Sequence, residues 1–335
     1  MAHLFNIPLT DLRLQNGYTY AKPVLTYQVF GQTLGTAAVV VVNHALTGNS
    51  NVSGPEGWWS ELVGSGKTID TDVFTVIAFN IPGNGYDKNP ANLISEYKQF
   101  TVRDIAQLFW NGLHALGIER IFAVIGGSLG GAIAWEMAVL QPRSIGHLIP
   151  IATDWKATDW VIAQVLIQDQ ILNNSDDPIA DARLHAMLLY RTPESINQRF
   201  GRTRTNESSV FQVERWLLNH GIKLKNRFTL SAYKLMNHLL KTNDITKERA
   251  DFLQVIRNVT AAIHIVAVDT DLFFTAAENR KTFEILKTKR ENIFLHQINS
   301  VHGHDAFLIE NEQLSQILNP IFHTQKTNTY VSYNH

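Results

Sequence analysis

Three absences narrow the class of protein to which this sequence can belong. None of its 335 residues is cysteine, which excludes disulfides, thiol nucleophiles and zinc–thiolate sites. Its 29 basic and 30 acidic residues leave a formal net charge of −1, which argues against nucleic acid as a partner. No apolar run approaches the roughly 20 residues that cross a membrane, and the N-terminus lacks the basic and apolar regions of a secretory signal. We therefore expect a cytoplasmic protein that binds neither membranes nor nucleic acid.

Apolar runs alternate with helical patterns along most of the chain. The runs at 38–42 and 263–268 are nearly continuous, as in parallel strands covered on both faces. Strands are predicted at 24–30, 37–43, 73–80, 121–125, 147–152, 263–268 and 293–298, and helices at 102–116, 129–140, 276–288 and 305–319. This alternation predicts an α/β fold with a mostly parallel, doubly wound sheet and an active site at the carboxyl ends of its strands.

The strand pattern stops between residues 154 and 250. Helical patterns replace it at 159–173, 180–190, 210–220 and 230–240. A block of helices between two core strands is best explained as an inserted lid. We therefore predict a core domain formed by residues 1–153 and 251–335, and a helical lid formed by residues 154–250.

The segment 121–136 combines a strand, a sharp turn and a helix. Five apolar residues lead into Gly126-Gly-Ser-Leu-Gly130, and a helical pattern follows at once. This is the G-x-S-x-G pattern of a nucleophile elbow, whose strained turn brings the backbones too close for side chains at the glycines. A glycine-rich turn with an inert serine would have the same sequence, but the strand-to-helix context favours Ser128 as a nucleophile.

A serine nucleophile needs a histidine base, and that base needs a carboxylate to orient it. In proteins with such an elbow the acid and then the histidine follow the serine along the chain. The acid candidates are Asp269 and Asp271 after one late strand, and the base candidates are His302 and His304 after the next. Either aspartate could instead cap a helix, and the histidines could form an H-x-H metal pair, although no third ligand is evident. Order and position favour a triad and no metal site.

An oxyanion hole requires two backbone N–H groups aimed at the developing negative charge. The residue directly after the nucleophile, Leu129, supplies one of them. The loop after the 37–43 strand, Asn43-His-Ala-Leu-Thr-Gly48, is placed to supply the other, and Leu46 is its natural donor. An ordinary turn at the end of a strand is the alternative interpretation of this loop.

Further motifs are distributed over most of the chain. They are His44-Ala-Leu-Thr-Gly48, Gly57-Trp-Trp59, Gly66-Lys-Thr-Ile-Asp-Thr71, Val213-Glu-Arg-Trp-Leu217 followed by Gly221, Arg227-Phe-Thr-Leu-Ser-Ala-Tyr233, Thr270-Asp-Leu-Phe-Phe274 and Gly303-His-Asp-Ala-Phe-Leu308. The elbow is generic, but the Gly-Trp-Trp, Gly-His-Asp-Ala-Phe-Leu and lid motifs are specific when they occur together. With these motifs the chain resembles the homoserine O-acetyltransferase family of α/β-hydrolases.

The resemblance implies an acyltransferase of methionine biosynthesis with a ping-pong mechanism. Acetyl would pass from acetyl-CoA, the co-substrate, to Ser128 and then to the hydroxyl of homoserine, with no bound cofactor. The resemblance assigns Asp271 as the triad acid and His304 as the base. It also implies that Arg227, Tyr233 and Asp305 hold the amino acid. A guanidinium and a carboxylate can pair with the carboxylate and ammonium of such a substrate, although Arg227 without its motif is typical of a surface arginine.

The chain departs from the family pattern in two places. A Gly-Gly-Cys-x-Gly-Ser-Thr-Gly-Pro loop, which follows the strand at 78–87 in the family, is absent, and the lid is shortened at 173–178.

The same triad suits a transferase with another donor, such as succinyl-coenzyme A. It also suits a serine hydrolase, an esterase or thioesterase in which water is the acceptor. A non-catalytic binding protein would require the ordered triad to be coincidental.

The lid is basic and rich in apolar residues. Residues 191–234 contain nine Lys and Arg against three acidic residues. Such a charge would attract a polyanionic acyl-coenzyme A, or complement an acidic body or partner subunit.

The first lid helix carries more apolar residues than a thin cap can bury, for example Trp160, Val161, Val165, Leu166 and Ile171. These residues, and the resemblance, predict a homodimer that assembles through the lid helices.

Overall fold

Eight strands form one sheet at the centre of the protein. A computed structural model describes residues 3–205 and 210–323. The strands are β1 (Phe5–Pro8), β2 (Val24–Gly31), β3 (Val39–Asn43), β4 (Thr75–Phe79), β5 (Ile121–Gly127), β6 (Ile145–Ile151), β7 (Ala262–Val268) and β8 (Ile293–Ile298). Their order across the sheet is β1-β2-β4-β3-β5-β6-β7-β8.

The sheet is mostly parallel. β2 is antiparallel to both of its neighbours, and every neighbouring pair from β4 to β8 is parallel. All five residues of β3 are buried, as expected for a strand that is covered on both faces. The predicted α/β fold is confirmed, and the seven predicted strands are present with ends within two residues. The prediction missed β1, because only one of its four residues is buried and it carries no apolar run.

Helices cover both faces of the sheet. They are α1 (Val102–Ala115), α2 (Leu129–Leu140), α3 (Asp159–Asn174), α4 (Pro178–Tyr190), α5 (Pro193–Phe200), α6 (Gln212–Lys225), α7 (Leu230–Lys241), α8 (Phe252–Ile256), α9 (Ala276–Lys287), α10 (Ala306–Ile309) and α11 (Asn311–His323). α1, α2 and α9 contribute to the core on one face, and α11 contributes to the core on the other. α2, which follows the elbow, is apolar on nearly all sides and is therefore buried.

Five helices, α3 to α7, lie in the chain between β6 and β7, and we call them the inserted helices. α3 packs against α4 and α7, and α4 packs against α6. They span 159–241, inside the predicted lid at 154–250; the division into core and lid stays a prediction. The last predicted core residues, 324–335, lie outside the described residues.

Val161 and Val165 were expected to lack cover within the subunit, but both are buried, because α3 packs them against α7 and the core.

Two further differences from the predicted helices bear on the site. The helix predicted at 305–319 is wrong in its bounds: a 3₁₀ turn at Gly303–Asp305 and α10 precede α11, and Glu310 separates them with a non-helical ψ of 54°. Glu310 there accepts a hydrogen bond from the Ser300 hydroxyl at 2.6 Å. The prediction missed α5, although its Thr192 cap followed by Pro193 is a helix-start signal.

Within the described part of the chain, no helix combines the length and apolar character that crossing a bilayer requires.

Candidate active site

Ser128 stands at a strained turn between β5 and α2. Its φ of 55° lies in the left-handed region, where residues other than glycine are rare. An added Cβ on Gly126 would lie 2.5 Å from the carbonyl carbon of Gly130, and one on Gly130 would collide with the carbonyl of Asn43. The Ser128 N–H donates to the carbonyl of Ile151 at 2.9 Å, which fixes the turn to the end of β6. The turn therefore holds the serine at the carboxyl end of the sheet.

Asp271 and His304 form a buried hydrogen-bonded pair. His304 Nδ1 lies 2.6 Å from Asp271 Oδ2, and neither side chain is appreciably exposed. The other carboxylate oxygen, Oδ1, accepts the N–H groups of Phe273 and Phe274 at 2.7 and 2.9 Å. The aspartate is thus fixed in position by its own turn after β7. Because a carboxylate accepts, Nδ1 carries the proton of the neutral ring, and Nε2 is left as the basic nitrogen.

The structure separates the alternative acid and base from this pair. Asp269 accepts the N–H of Ser300 at 3.0 Å, and so joins the loops after β7 and β8. His302 Nδ1 lies 3.0 Å from the Ser195 hydroxyl of α5. The two histidines therefore have different partners. Across residues 3–205 and 210–323, no three His, Asp or Glu side chains are grouped to hold a metal ion.

Aromatic rings surround His304 and connect it to the elbow. The rings of Tyr190, Phe273, Phe274 and Phe307 have their centres 5.4 to 5.7 Å from that of the imidazole. A Cβ on Gly127, the residue before the nucleophile, would collide with the ring of Phe307. The elbow and the His304 turn therefore meet across Phe307. This apolar surround limits the access of water to the base.

The loop that carries Leu46 lies against the elbow. Asn43 at the end of β3 pairs with Gly126 of β5, and Gly130 packs against the carbonyls of Asn43 and His44. Leu129 begins α2, so its N–H belongs to the first helical turn, which has no partner within the helix. The structure thus brings the two predicted oxyanion segments together at the serine.

His44 holds this loop in place, a role that the sequence analysis missed. Its Nε2 accepts the N–H of Ile81 at 3.0 Å, and its Nδ1 lies 2.8 Å from the carbonyl of Ala45, to which it donates. Burial lowers the pKa of His44 to about 4, so the ring is neutral at physiological pH. Arg227 also holds this loop, because its Nη1 donates a hydrogen bond to the carbonyl of Thr47 at 2.8 Å. Two side chains therefore position the segment that contains Leu46.

The three predicted substrate-binding residues have different surroundings. Arg227 is exposed at the turn between α6 and α7. Asp305 is paired with Arg191, whose Nε lies 3.3 Å from its carboxylate. Tyr233 is buried, and its hydroxyl has no hydrogen-bond partner among the described residues. Burial raises the pKa of both Tyr233 and Asp305.

Tyr233 faces a narrow cavity beside the predicted oxyanion loop. The lining includes Leu46, Tyr190, Phe273, Gln164 and Gln168. The side-chain oxygens of both glutamines, like the Tyr233 hydroxyl, lack a hydrogen-bond partner in the described part of the chain. Buried polar groups are normally satisfied, so this cavity is suited to a ligand or water with polar atoms.

Arg183 of α4 is a second cation that sequence reasoning missed. Its guanidinium carbon lies 5.5 Å from the centre of the Tyr190 ring, which itself contacts His304. Its charge opposes the burial that raises the pKa of Asp305, and it also acts on Arg227. In the sequence Arg183 is indistinguishable from a surface arginine on an amphipathic helix. The structure shows that it belongs to the group of charges around the site.

Comparisons with known proteins agree with this architecture. The sequence-family model of the alpha/beta hydrolase fold matches residues 38–236 of this chain. The crystal structure of esterase E22 superimposes with a TM-score of 0.86 at 17% identity, covering 96% of this chain and 100% of that one. The homoserine O-acetyltransferase from Bacillus anthracis gives the same TM-score at 19% identity, covering 96% and 98%. Fold and elbow therefore define an enzyme of the α/β-hydrolase class.

Sequence identity defines the family within that class. The homoserine O-acetyltransferase of Salinibacter ruber is 30% identical to this chain over an alignment 349 positions long, covering 95% of this chain and 96% of the relative. The chain belongs to the homoserine O-acetyltransferase family.

Proposed function

We propose that this enzyme transfers an acetyl group from acetyl-CoA to the hydroxyl of homoserine, through an acetyl-enzyme on Ser128, in methionine biosynthesis. The observation that carries the proposal is the Asp271–His304 pair, buried beside a nucleophile elbow, in a chain of the homoserine O-acetyltransferase family. An acetyl-CoA donor is an intracellular metabolite, so we place the enzyme in the cytoplasm. No bound cofactor takes part in the proposed chemistry.

In the first half-reaction the Ser128 hydroxyl attacks the thioester carbonyl. Its proton moves to Nε2 of His304, and Asp271, 2.6 Å from Nδ1, stabilises the imidazolium. The N–H groups of Leu46 and Leu129 stabilise the oxyanion. The carbon–sulfur bond then breaks, the coenzyme A thiolate takes the proton from His304, and the acetyl group stays on Ser128 as an ester.

In the second half-reaction the hydroxyl of homoserine attacks this ester. His304 removes the hydroxyl proton, the new carbon–oxygen bond forms, and the bond to Ser128 breaks as the serine regains a proton from His304. The rings around His304 favour transfer over hydrolysis, because they limit the access of water.

The acceptor is held, in this proposal, by Arg227, Tyr233 and Asp305. Arg227 uses one guanidinium nitrogen on Thr47, so its remaining N–H groups can grip the carboxylate of homoserine. Arg183 adds positive charge at the same place. Asp305 pairs with the ammonium once it exchanges its contact with Arg191. The buried Tyr233 hydroxyl is a further donor or acceptor for the bound amino acid.

We further propose that two copies of the chain assemble through the inserted helices. Several large apolar side chains on these helices are exposed: Trp160, Ile162, Leu166, Ile167, Leu188, Leu218 and Ile222. These side chains lie on α3, α4 and α6, which pack in sequence against one another, and exposed apolar residues grouped on neighbouring elements mark an interaction site. Light scattering at micromolar concentration is expected to return twice the 37.8 kDa mass of one chain, and the monomer mass would contradict the dimer.

The decisive experiment is consumption of acetyl-CoA with and without homoserine, followed by mass identification of the product. We expect O-acetylhomoserine and a rate that depends on homoserine. A rate indifferent to every hydroxyl amino acid would favour the second candidate, a serine hydrolase, which the shared fold of esterase E22 makes the relevant alternative. Consumption of succinyl-CoA in place of acetyl-CoA would instead correct the donor.

A further inference from the structure

A second cavity lies beside the turn that carries His302 and His304, with His302 in its lining. Its volume is about 260 Å³, and α5 and α6 form two of its walls. The lining residues are Arg191, Ser195, Ile196, Gln198, Arg199, Phe200, Trp216 and His302. The catalytic proposal above uses none of these residues directly.

One wall of this cavity is aromatic and carries a guanidinium. The rings of Phe200 and Trp216 have their centres 5.5 Å apart. The guanidinium carbon of Arg199 lies 5.5 Å from the first ring and 5.6 Å from the second. Arg199 makes no ion pair with any residue in the described ranges. A planar aromatic ligand could stack on this wall while its anionic group meets the guanidinium.

The charge around the cavity is positive. Arg191 faces it with a buried Nη1 that has no hydrogen-bond partner in residues 3–205 or 210–323. The positive charge also affects the pKa of His220, whose ring is 4.5 Å from that of Trp216. Burial lowers its pKa to about 4, and Arg183, Lys223, Arg191 and Arg199 all act in the same direction. Three acids lie on the surrounding elements and each has a partner: Glu194 accepts from Gln198, Glu214 accepts the N–H of Phe211, and Asp305 is paired with Arg191.

The cavity lies beside the turn that carries the catalytic base. His302, two residues before His304, lines the cavity and is fixed to α5 by its contact with Ser195. Arg191 directly follows Tyr190, whose ring is 5.5 Å from His304. A ligand seated here would therefore lie close to the turn that carries the base, and a donor with a long flexible arm could place its thioester at Ser128 while its other end stays in the cavity.

We propose that this cavity binds the nucleotide end of acetyl-CoA, with adenine against Trp216 and Phe200 and the phosphates on Arg199 and Arg191. This inference rests on the proposed function, because it identifies where the donor of that reaction is recognised. The ligand has the two properties that the cavity selects: a planar π system and several negative charges. The acetyl-pantetheine arm reaches Ser128, and the nucleotide stays outside the reacting centre.

The test compares two donors that differ only in the nucleotide. Acetyl-CoA carries it, and S-acetylpantetheine has the same thioester and arm without it. In Arg199→Ala and Trp216→Ala we expect kcat/KM for acetyl-CoA to fall about 10-fold or more, at unchanged kcat, as loss of a stacking or charged contact predicts. The same constant for S-acetylpantetheine should stay within twofold, which also shows that the variants are folded. Arg215→Ala is the matched control, because Arg215 is exposed on α6 and does not line the cavity.

Binding of adenosine 3′,5′-bisphosphate gives a readout that does not depend on catalysis. Calorimetry should detect binding to the wild type and to Arg215→Ala, and a loss of at least 10-fold in Arg199→Ala and Trp216→Ala. Equal losses with both donors, or no loss with acetyl-CoA, would overturn the nucleotide site. If neither donor acylates Ser128, the proposed function fails, while the bisphosphate measurement still decides whether the cavity binds a nucleotide.

Discussion

Arg227 Nη1 donates a hydrogen bond to the carbonyl oxygen of Thr47 at 2.8 Å, next to the residue proposed as an oxyanion donor. An arginine expected to serve only the acceptor thus also supports the loop used in acylation. Its two roles can be separated, because only one half-reaction contains the acceptor.

Arg227→Ala should reduce kcat/KM for homoserine by about 30-fold to several-thousand-fold, the usual effect of removing one partner of a charge pair that is shielded from water once the substrate is bound. Acylation of Ser128 should fall only about 2- to 10-fold, corresponding to one lost hydrogen bond. Arg227→Lys should rescue poorly, because an ammonium cannot grip a carboxylate with a planar fork. Single-turnover acylation and steady-state transfer separate the two effects. If the wild type and Arg227→Ala deacylate at the same rate with homoserine present, the role in acceptor binding is wrong.

Replacing the nucleophile should affect activity and stability in opposite directions. Ser128→Ala and Ser128→Gly should each lower turnover by about 10⁴-fold or more, since both lack the hydroxyl. Glycine should also raise the free energy of unfolding by about 1 kcal/mol relative to alanine, because the φ of 55° is strained for any residue with a Cβ. Urea unfolding of the two variants measures this difference, and intact mass after incubation with acetyl-CoA should show an adduct on the wild type alone. Retained activity in Ser128→Ala would exclude the serine as nucleophile.

The two aspartates after β7 form a natural matched pair. Asp271→Asn should lower kcat by about 10⁴-fold, because an amide at 2.6 Å from Nδ1 favours the wrong tautomer of His304. Asp269→Asn should change kcat less than about 10-fold, since Asp269 contacts the backbone of Ser300 instead. Steady-state kinetics of both variants decide the assignment. A larger loss in the Asp269 variant would reverse the roles proposed for the two residues.

Three neighbouring strands carry histidines that are neutral in the folded protein. His147 Nδ1 lies 3.2 Å from His264 Nε2, and the ring of His296 stacks on that of His264 at 5.7 Å. Burial lowers the pKa of all three; that of His264 falls to about 3, and the two neighbouring histidines contribute. The unfolded chain therefore binds these protons first as pH falls below about 6.5, and the folded state loses stability.

In His264→Gln, the loss of unfolding free energy between pH 6.5 and 4.5 should be shallower by about 1.4 kcal/mol per pH unit. Stability at pH 8 should change little, provided that glutamine keeps the hydrogen bond to His147. Urea unfolding at several pH values gives the slope. An unchanged slope in His264→Gln would mean that this histidine is not the acid-sensitive group.

Local patterns in the sequence predicted the sheet and the turns that carry the chemistry. The five apolar residues before Gly126 and the glycines around Ser128 fix the elbow by sterics alone. The elbow can therefore be predicted from the sequence without knowledge of the packing. The choice between Asp269 and Asp271 was open on spacing, because both follow the same strand. Their backbone partners, at Ser300 and at Phe273 with Phe274, depend on how two loops meet in three dimensions.

The residues that sequence analysis missed act through contacts between distant segments. His44 matters because its ring joins the loop after β3 to Ile81 after β4. Arg183 and Arg191 matter because α4 is placed beside the His304 turn. On a single amphipathic helix such arginines look like ordinary surface residues. Packing, which no local pattern encodes, turns them into neighbours of the site.

The connectivity of the sheet also sets the order in which the site is completed during synthesis. Leu46 and Ser128 belong to segments that leave the ribosome before the inserted helices, whereas Asp271 and His304 follow β7 and β8, which come last. Arg227, which holds the Thr47 carbonyl, emerges between them. A nascent chain with its elbow already formed therefore carries a serine that no base can activate. In the proposed mechanism, reactivity towards thioesters begins only when the C-terminal strands join the sheet. By then Arg227 and Tyr233 of the acceptor site have emerged, and Asp305 arrives together with His304.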